Sequence, residues 1–100
     1  MNKLSPGPVV IVPEKIIEDT ELSSSAKVLF CILTQLSKKS GFCWAENRYL
    51  AERMNATSRT VQRLLSQLAG RGYVTVEVIR DTQTNEVLSR HIYCNEIPGR

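Results

Sequence analysis

Residues 47–74 read NRYLAERMNATSRTVQRLLSQLAGRGYV, and the second half of this stretch carries two different stripes on one helix. From Ser58 to Ala69 the apolar residues Val61, Leu64, Leu65 and Leu68 recur at helical spacing, while Arg59, Gln62, Arg63 and Ser66 repeat that spacing on the far side. The first stripe is a core face and the second is a row of long hydrogen-bonding groups. A polar outer face by itself usually means only a solvated helix. Here no Asp or Glu stands between Arg53 and Glu77, so the row has the sign that a phosphate backbone requires.

The residues just ahead make this helix part of a motif. Arg48 to Met54 reads as a short helix with Leu50, Ala51 and Met54 inward. Asn55 then stands where a tight turn takes a left-handed residue, Ala56 is small enough to pack between helices, and Thr57 is a side-chain N-cap. The pattern predicts a helix, a three-residue turn and a second helix. In such a unit the second helix lies in the major groove with its N-terminal residues at base edges, and the first crosses the backbone. On that geometry Ser58, Arg59, Thr60, Gln62, Arg63 and Ser66 approach the groove, Thr57 caps the helix and touches phosphate, and Arg48, beside Asn47, faces phosphate. The plain alternative is a helical hairpin with a charged outer face. Agreement between turn, cap, charge sign and the strand that follows weighs against it.

Composition bounds the rest. One hundred residues with 42% apolar content make one small domain with a modest core and no deep, multi-element active site. The net charge of +3 is mild but unevenly laid down, since every Lys precedes Gly41 and every Arg follows Trp44. Arg suits bidentate contacts with phosphate and guanine, so its confinement to the motif half tells more than the total. Cys31, Cys43 and Cys94 are an odd set without C-x-x-C spacing, and His91 is the only histidine. Neither a metal site, a cofactor nor a disulfide framework is expected, and the cysteines read as small core residues in a reducing compartment. With no acid pair on a shared face and no glycine-rich phosphate loop, an enzyme is not expected. No signal peptide is visible, and no run of about 18 apolar residues occurs, so a soluble, cytoplasmic protein without membrane contact is predicted.

Along the chain, residues 1–8 read as a loose lead-in, residues 9–94 as the domain, and residues 95–100, with a Pro-Gly, as a tail or linker. Val9 to Val12 is a short β-branched run expected to pair with a later strand or with a second copy of the chain, and Pro13 opens a helical turn through Ile17. Glu21 to Lys39 is the longest helix candidate, capped by Ser23 or Ser24, with Ala26, Leu29, Phe30, Leu33 and Leu36 inward and Gly41 as its stop. Phe42, Cys43 and Trp44 form an apolar connector, in which Trp44 is expected to plug the junction of the helices rather than stack on a base. After Gly70-Arg71-Gly72 the period changes from helical to alternating. Tyr73 to Arg80 places Val74, Val76 and Val78 on one face, and Val87 to Cys94 does the same with Leu88, Ile92 and Cys94. The polar loop between them has Asn85 as its left-handed residue. A hairpin directly after the motif is a wing, and Arg80 and Arg90, flanking its loop, are placed to reach phosphate or the minor groove, or else are simply solvated.

Several of these stretches are familiar together. The S-x-A-K opening at Ser24, Ala26 and Lys27, the connector GFCWAEN, the helix TSRTVQRLL, the G-Y-V entry to the wing and the R-D-x-x-T-N tip resemble the N-terminal winged-helix domain of plasmid replication initiators and phage replisome organisers, DnaD-like proteins included. T-x-R-T-V-Q-R alone is shared with many repressors, whereas connector and wing tip together are more specific. The resemblance implies a prokaryotic or phage-encoded protein that is mainly α with a β-hairpin: a winged helix-turn-helix, with a three-helix core and a two- or three-stranded wing. It implies binding to double-stranded DNA as a homodimer, in replication initiation; proteins of that family are typically longer, with a C-terminal part that recruits a replicative helicase or its loader, so this chain reads as the DNA-binding module of a larger protein or as a stand-alone relative. A transcriptional repressor of the same fold and a winged-helix adaptor for protein partners are the alternatives.

Overall fold

The computed structural model describes residues 10–96; the lead-in, Val9 and the last four residues of the predicted tail lie outside the described residues. Four helices and one hairpin follow in chain order: α1 (Glu14–Glu18), α2 (Ser24–Leu36), α3 (Asn47–Met54), α4 (Ser58–Gly70), β1 (Val74–Arg80) and β2 (Val87–Cys94). Helix α2 starts where Ser23 Oγ accepts from the Ala26 N–H at 3.2 Å, which settles the cap between the two serines. Its inward residues Leu29 and Leu33 are fully buried, together with Leu50 of α3, Val61, Leu64 and Leu68 of α4, and Ile92 of β2. The core therefore lies between the three long helices and the base of the hairpin, and the two motif helices are held from behind.

Turn chemistry sets the angle between α3 and α4. Asn55 adopts the left-handed conformation (φ 54°, ψ 48°), and the Ala56 N–H reaches back to Ala51 O at 2.9 Å, closing α3 as a Schellman-type end. Thr57 then caps α4, its Oγ1 accepting from the Thr60 N–H at 3.1 Å. The far end of α4 repeats the device with a glycine: Gly72 has φ 82°, and Tyr73 N–H donates to Leu68 O at 2.9 Å. That turn throws the chain directly into β1.

The strands pair antiparallel, with Val74 opposite Cys94, Val76 opposite Ile92 and Val78 opposite Arg90, until a bulge between Ile79 and Arg80. A third segment joins the sheet at one point, where Cys43 and Ile92 exchange two N–H···O bonds of 2.8 Å. Residues 10–12, expected in a strand, are not in one. The connector supplies the extra pairing instead, because Gly41 (φ 85°) releases α2 next to the edge of β2.

Trp44 departs from expectation as well. It is 68% exposed, whereas Cys43 is fully buried. Once Cys43 bridges Ile92 in extended backbone, alternation sends Cys43 inward and its neighbours Phe42 and Trp44 to the opposite face. Phe42 stacks on His91 with ring centroids 3.9 Å apart, and the junction is filled by Cys43 and Ile92 rather than by the indole. Helix α1 is anchored by Ile16 and by Asp19, the one buried charged residue among those described. Asp19 accepts from Tyr73 Oη at 2.5 Å, Arg71 Nε at 3.1 Å and the Glu21 N–H at 2.8 Å, and so ties the N-terminal segment to the end of α4.

Candidate nucleic-acid interface

Helix α4 presents its two stripes as its sequence requires. Val61, Leu64, Leu65 and Leu68 are buried, and Ser58, Arg59, Gln62, Arg63 and Ser66 are exposed. Neither Arg59 nor Arg63 enters a salt bridge among the described residues, so both guanidiniums stand free on the outer face. Thr60 is half-buried, and its hydroxyl accepts from Thr57 Oγ1 at 3.0 Å, so these two hydroxyls form one capping unit. Arg48 is exposed on α3 next to Asn47 and is likewise unpaired. The motif thus brings the row on α4 and the head of α3 to one side of the molecule.

The wing arginines behave differently from one another. Arg80 Nη1 donates to Asn85 O at 3.0 Å, closing the wing loop from below. That loop is further braced by Asp81, whose Oδ1 accepts from the Gln83 and Thr84 N–H groups at 2.7 and 2.9 Å. Those backbone donors, Thr84 first, hold the Asp81 carboxyl below its usual range. Asn85 is left-handed with φ 64°, as its place in the loop predicts. The wing tip is therefore a built loop with its own carboxylates, Asp81 and Glu86.

Arg90 does not stand at the tip. It lies half-buried at the back of a shallow groove lined by Gln62, Leu65, Ser66, Ala69, Val76 and Val78, between the outer face of α4 and the wing. Its Nη1 donates to Asn47 Oδ1 at 2.7 Å and its Nη2 to Ala45 O at 2.6 Å. Asn47 Nδ2 in turn donates to Gln62 Oε1 at 3.1 Å. Burial pulls the Arg90 pKa below its ordinary value. The residue expected to reach outward is instead the fastener between wing, α3 and α4, and the alternation already carried the signal. Arg90 shares its parity with Leu88, Ile92 and Cys94, which places it on the inward face of β2.

Two further supports lie outside the predicted set. Arg53 Nη2 donates to Gln35 Oε1 at 3.0 Å while its guanidinium lies 6.0 Å from the Tyr49 ring centre, joining α3 to α2. Gln67 Oε1 accepts from Ser23 N–H at 3.2 Å, which turns this amide away from the exposed row. Gln67 stands five residues from Gln62, outside the row at 59, 62, 63 and 66, and is half-buried where Gln62 is exposed.

A second motif helix capped at its N-terminus, a positive and unpaired outer face, and a hairpin leaning beside it define a winged helix-turn-helix, a DNA-binding architecture. A family model described as a helix-turn-helix domain matches residues 20–74, more than half of the chain, and the chain belongs to that family. The matched span runs from ahead of α2 to the first residue of β1, so it holds the motif and leaves out nearly all of the wing. No curated protein and no solved structure matches the chain at a significant level. Among the described residues no helix is long and apolar enough to cross a membrane, and no cluster of metal-ligating side chains occurs.

Proposed function

We propose that the domain recognises a specific double-stranded DNA site as a homodimer and acts in replication initiation at a plasmid or phage origin. One observation carries the reading: Arg59 and Arg63 stand exposed and unpaired on either side of Gln62, on a helix whose outer face holds no carboxylate. Such a row offers bidentate donors to guanine at base edges, and Thr57, Ser58 and Arg48 lie where phosphate contacts position the helix. Asn47 and Arg90 support the contact face from behind, and Ser66 and Arg80 stand at its margin.

A single recognition helix reads only a few base pairs, and two copies on adjacent half-sites supply the length that a unique site needs. The replication role is supported by the connector GFCWAEN and the R-D-x-x-T-N wing tip. In that role a region other than this domain engages the replicative helicase or its loader. The domain acts by binding and performs no catalysis.

Capture and sequencing of the genomic fragments held by the protein tests the reading. A footprint of two half-sites at an origin or beside the gene for a replication protein is expected. Footprints confined to promoters of other genes replace the initiator by a repressor of the same fold. Binding that does not weaken as salt rises, or no fragment retained at all, removes DNA recognition and leaves a protein-binding adaptor.

A further inference from the structure

The contact between Asn47 and Gln62 has a direction, and Arg90 sets it. Arginine carries N–H donors and no acceptor, so the Asn47 atom that meets Arg90 Nη1 at 2.7 Å is the carbonyl Oδ1. Asn47 therefore turns its NH2 group toward α4, and the Gln62 atom that meets it at 3.1 Å is the carbonyl Oε1. A second bond, from Arg90 Nη2 to Ala45 O at 2.6 Å, holds the guanidinium so that it does not swing away. At the end of this relay the Gln62 NH2 group is unengaged, on the exposed face of α4 between Arg59 and Arg63. A free glutamine is symmetrical in what it offers, because its amide flips to present either a donor or an acceptor. This one is polarised.

We propose that Gln62 is a specificity-determining residue held in donor orientation by the relay from Arg90 through Asn47, so that it selects a keto base, guanine or thymine, at its position in the DNA site. The inference rests on the reading of α4 as a recognition helix. In the major groove guanine presents two adjacent acceptors, O6 and N7, and thymine presents O4, whereas cytosine N4 donates and adenine sets the donor N6 beside its one acceptor, N7. An NH2 group aimed at the groove is matched by guanine and thymine, opposed by the cytosine amine, and at adenine meets the N6 amine beside N7, so that one of its contacts is donor against donor. The bidentate pairing of glutamine with adenine, which needs Oε1 at the base, is given up, since that oxygen is turned to Asn47. Arg90 and Asn47 are thus positioning residues, and base preference depends on side chains that stay off the DNA.

The test is selection of binding sites from a randomised duplex library by the wild-type chain and three variants, with thermal melting of each to establish folding. Gln62→Ala locates the base position, as the one where preference disappears. At that position the wild-type chain selects guanine or thymine. Asn47→Asp presents only acceptors, which keeps the bond to Arg90 and forces the Gln62 amide to turn its NH2 inward and its carbonyl outward. Gln62→Glu offers an acceptor outward directly, on an exposed helical position that tolerates the change. Both variants shift the preference to adenine or cytosine, by about tenfold relative to the wild-type base. If Asn47→Asp does not fold, the Gln62→Glu arm decides alone. Adenine or cytosine selected by the wild-type chain, a keto preference kept by a folded polarity variant, or no position sensitive to Gln62→Ala overturns the relay while DNA recognition stands. A wild-type chain that selects no sequence overturns both, and that outcome is separate because every arm is then featureless.

Discussion

Arg90 of the wing and Asn47 at the head of α3 are joined by a 2.7 Å hydrogen bond across the groove beside the recognition helix. Forty-three residues separate them in the chain, yet this contact, with that of Arg90 to Ala45 O, sets how the hairpin leans against the motif. Arg90→Ala leaves Asn47 Oδ1 and Ala45 O without their charged donor, at a cost of about 1–3 kcal/mol in unfolding free energy. DNA affinity falls because the wing loosens, and the dependence of affinity on salt keeps its slope. Denaturant unfolding and a salt titration of binding check the two halves. A slope reduced by about one charge would instead make Arg90 a phosphate contact.

On the proposed reading of α4 as the helix that enters the major groove, the arginines of the motif separate by role. Arg59→Ala and Arg63→Ala weaken binding to the cognate site by about 1–3 kcal/mol each and relax base preference, because a bidentate contact to a base edge is removed. Arg48→Ala lowers affinity evenly on cognate and scrambled duplexes and reduces the salt slope by about one. Measuring all three on both duplexes decides the assignment. Equal losses on cognate and scrambled DNA from every substitution contradict it.

Asp19 makes stability depend on acidity. The Tyr73 hydroxyl first, against the opposing effect of burial, then the Glu21 N–H and the Arg71 guanidinium, lower its pKa from 3.8 to about 2. A carboxyl whose folded pKa is depressed binds its proton more readily in the unfolded chain. Its contribution is therefore whole above pH 3.8 and is lost as pH falls through about 2. Asp19→Asn is less stable than the wild-type chain at neutral pH, and the difference narrows between pH 4 and pH 2. Unfolding curves across that range measure it, and a gap that stays constant removes Asp19 from the acid response.

Trp44 gives a direct reading of the connector. At 68% exposure its indole contributes little to the core, so Trp44→Ala changes stability by no more than about 0.5 kcal/mol. Being the only tryptophan, it also reports its own surroundings. Its native fluorescence is expected to be red-shifted, open to iodide quenching and little moved by unfolding. A blue-shifted native spectrum, with a large loss of stability in the variant, would return the indole to the helix junction.

Much of this was legible in advance, for a physical reason that recurs at each place. Asn55 and Asn85 occupy positions where a turn requires a positive φ, and both adopt it. Ser23 and Thr57 precede apolar periodicity, and each caps its helix. These are local rules, satisfied by residues within one turn of one another. The partners of Arg90 and Asp19, and the side taken by Trp44, were not legible in the same way, although parity with Ile92 marks the inward face of Arg90. Arg90 finds Asn47 and Asp19 finds Tyr73 across more than forty residues, and no nearby residue signals such partners. Trp44 departs from its expected place because apolar character does not by itself mean burial, and its side is set by the pairing of its neighbour Cys43 with Ile92.

The amino-acid order by itself determined the helix–turn–helix and the hairpin, the split of α4 into a leucine-rich back and an arginine- and glutamine-bearing front, and the sign of that front. Periodicity, capping and turn preferences act over a few residues, and they are written in the chain. Tertiary packing alone decided which of the polar groups remain free. It drew Arg90 and Gln67 into the scaffold, left Arg59 and Arg63 outside, and gave Gln62 one direction, because a hydrogen bond exists only where folding brings its donor and acceptor within about 3 Å.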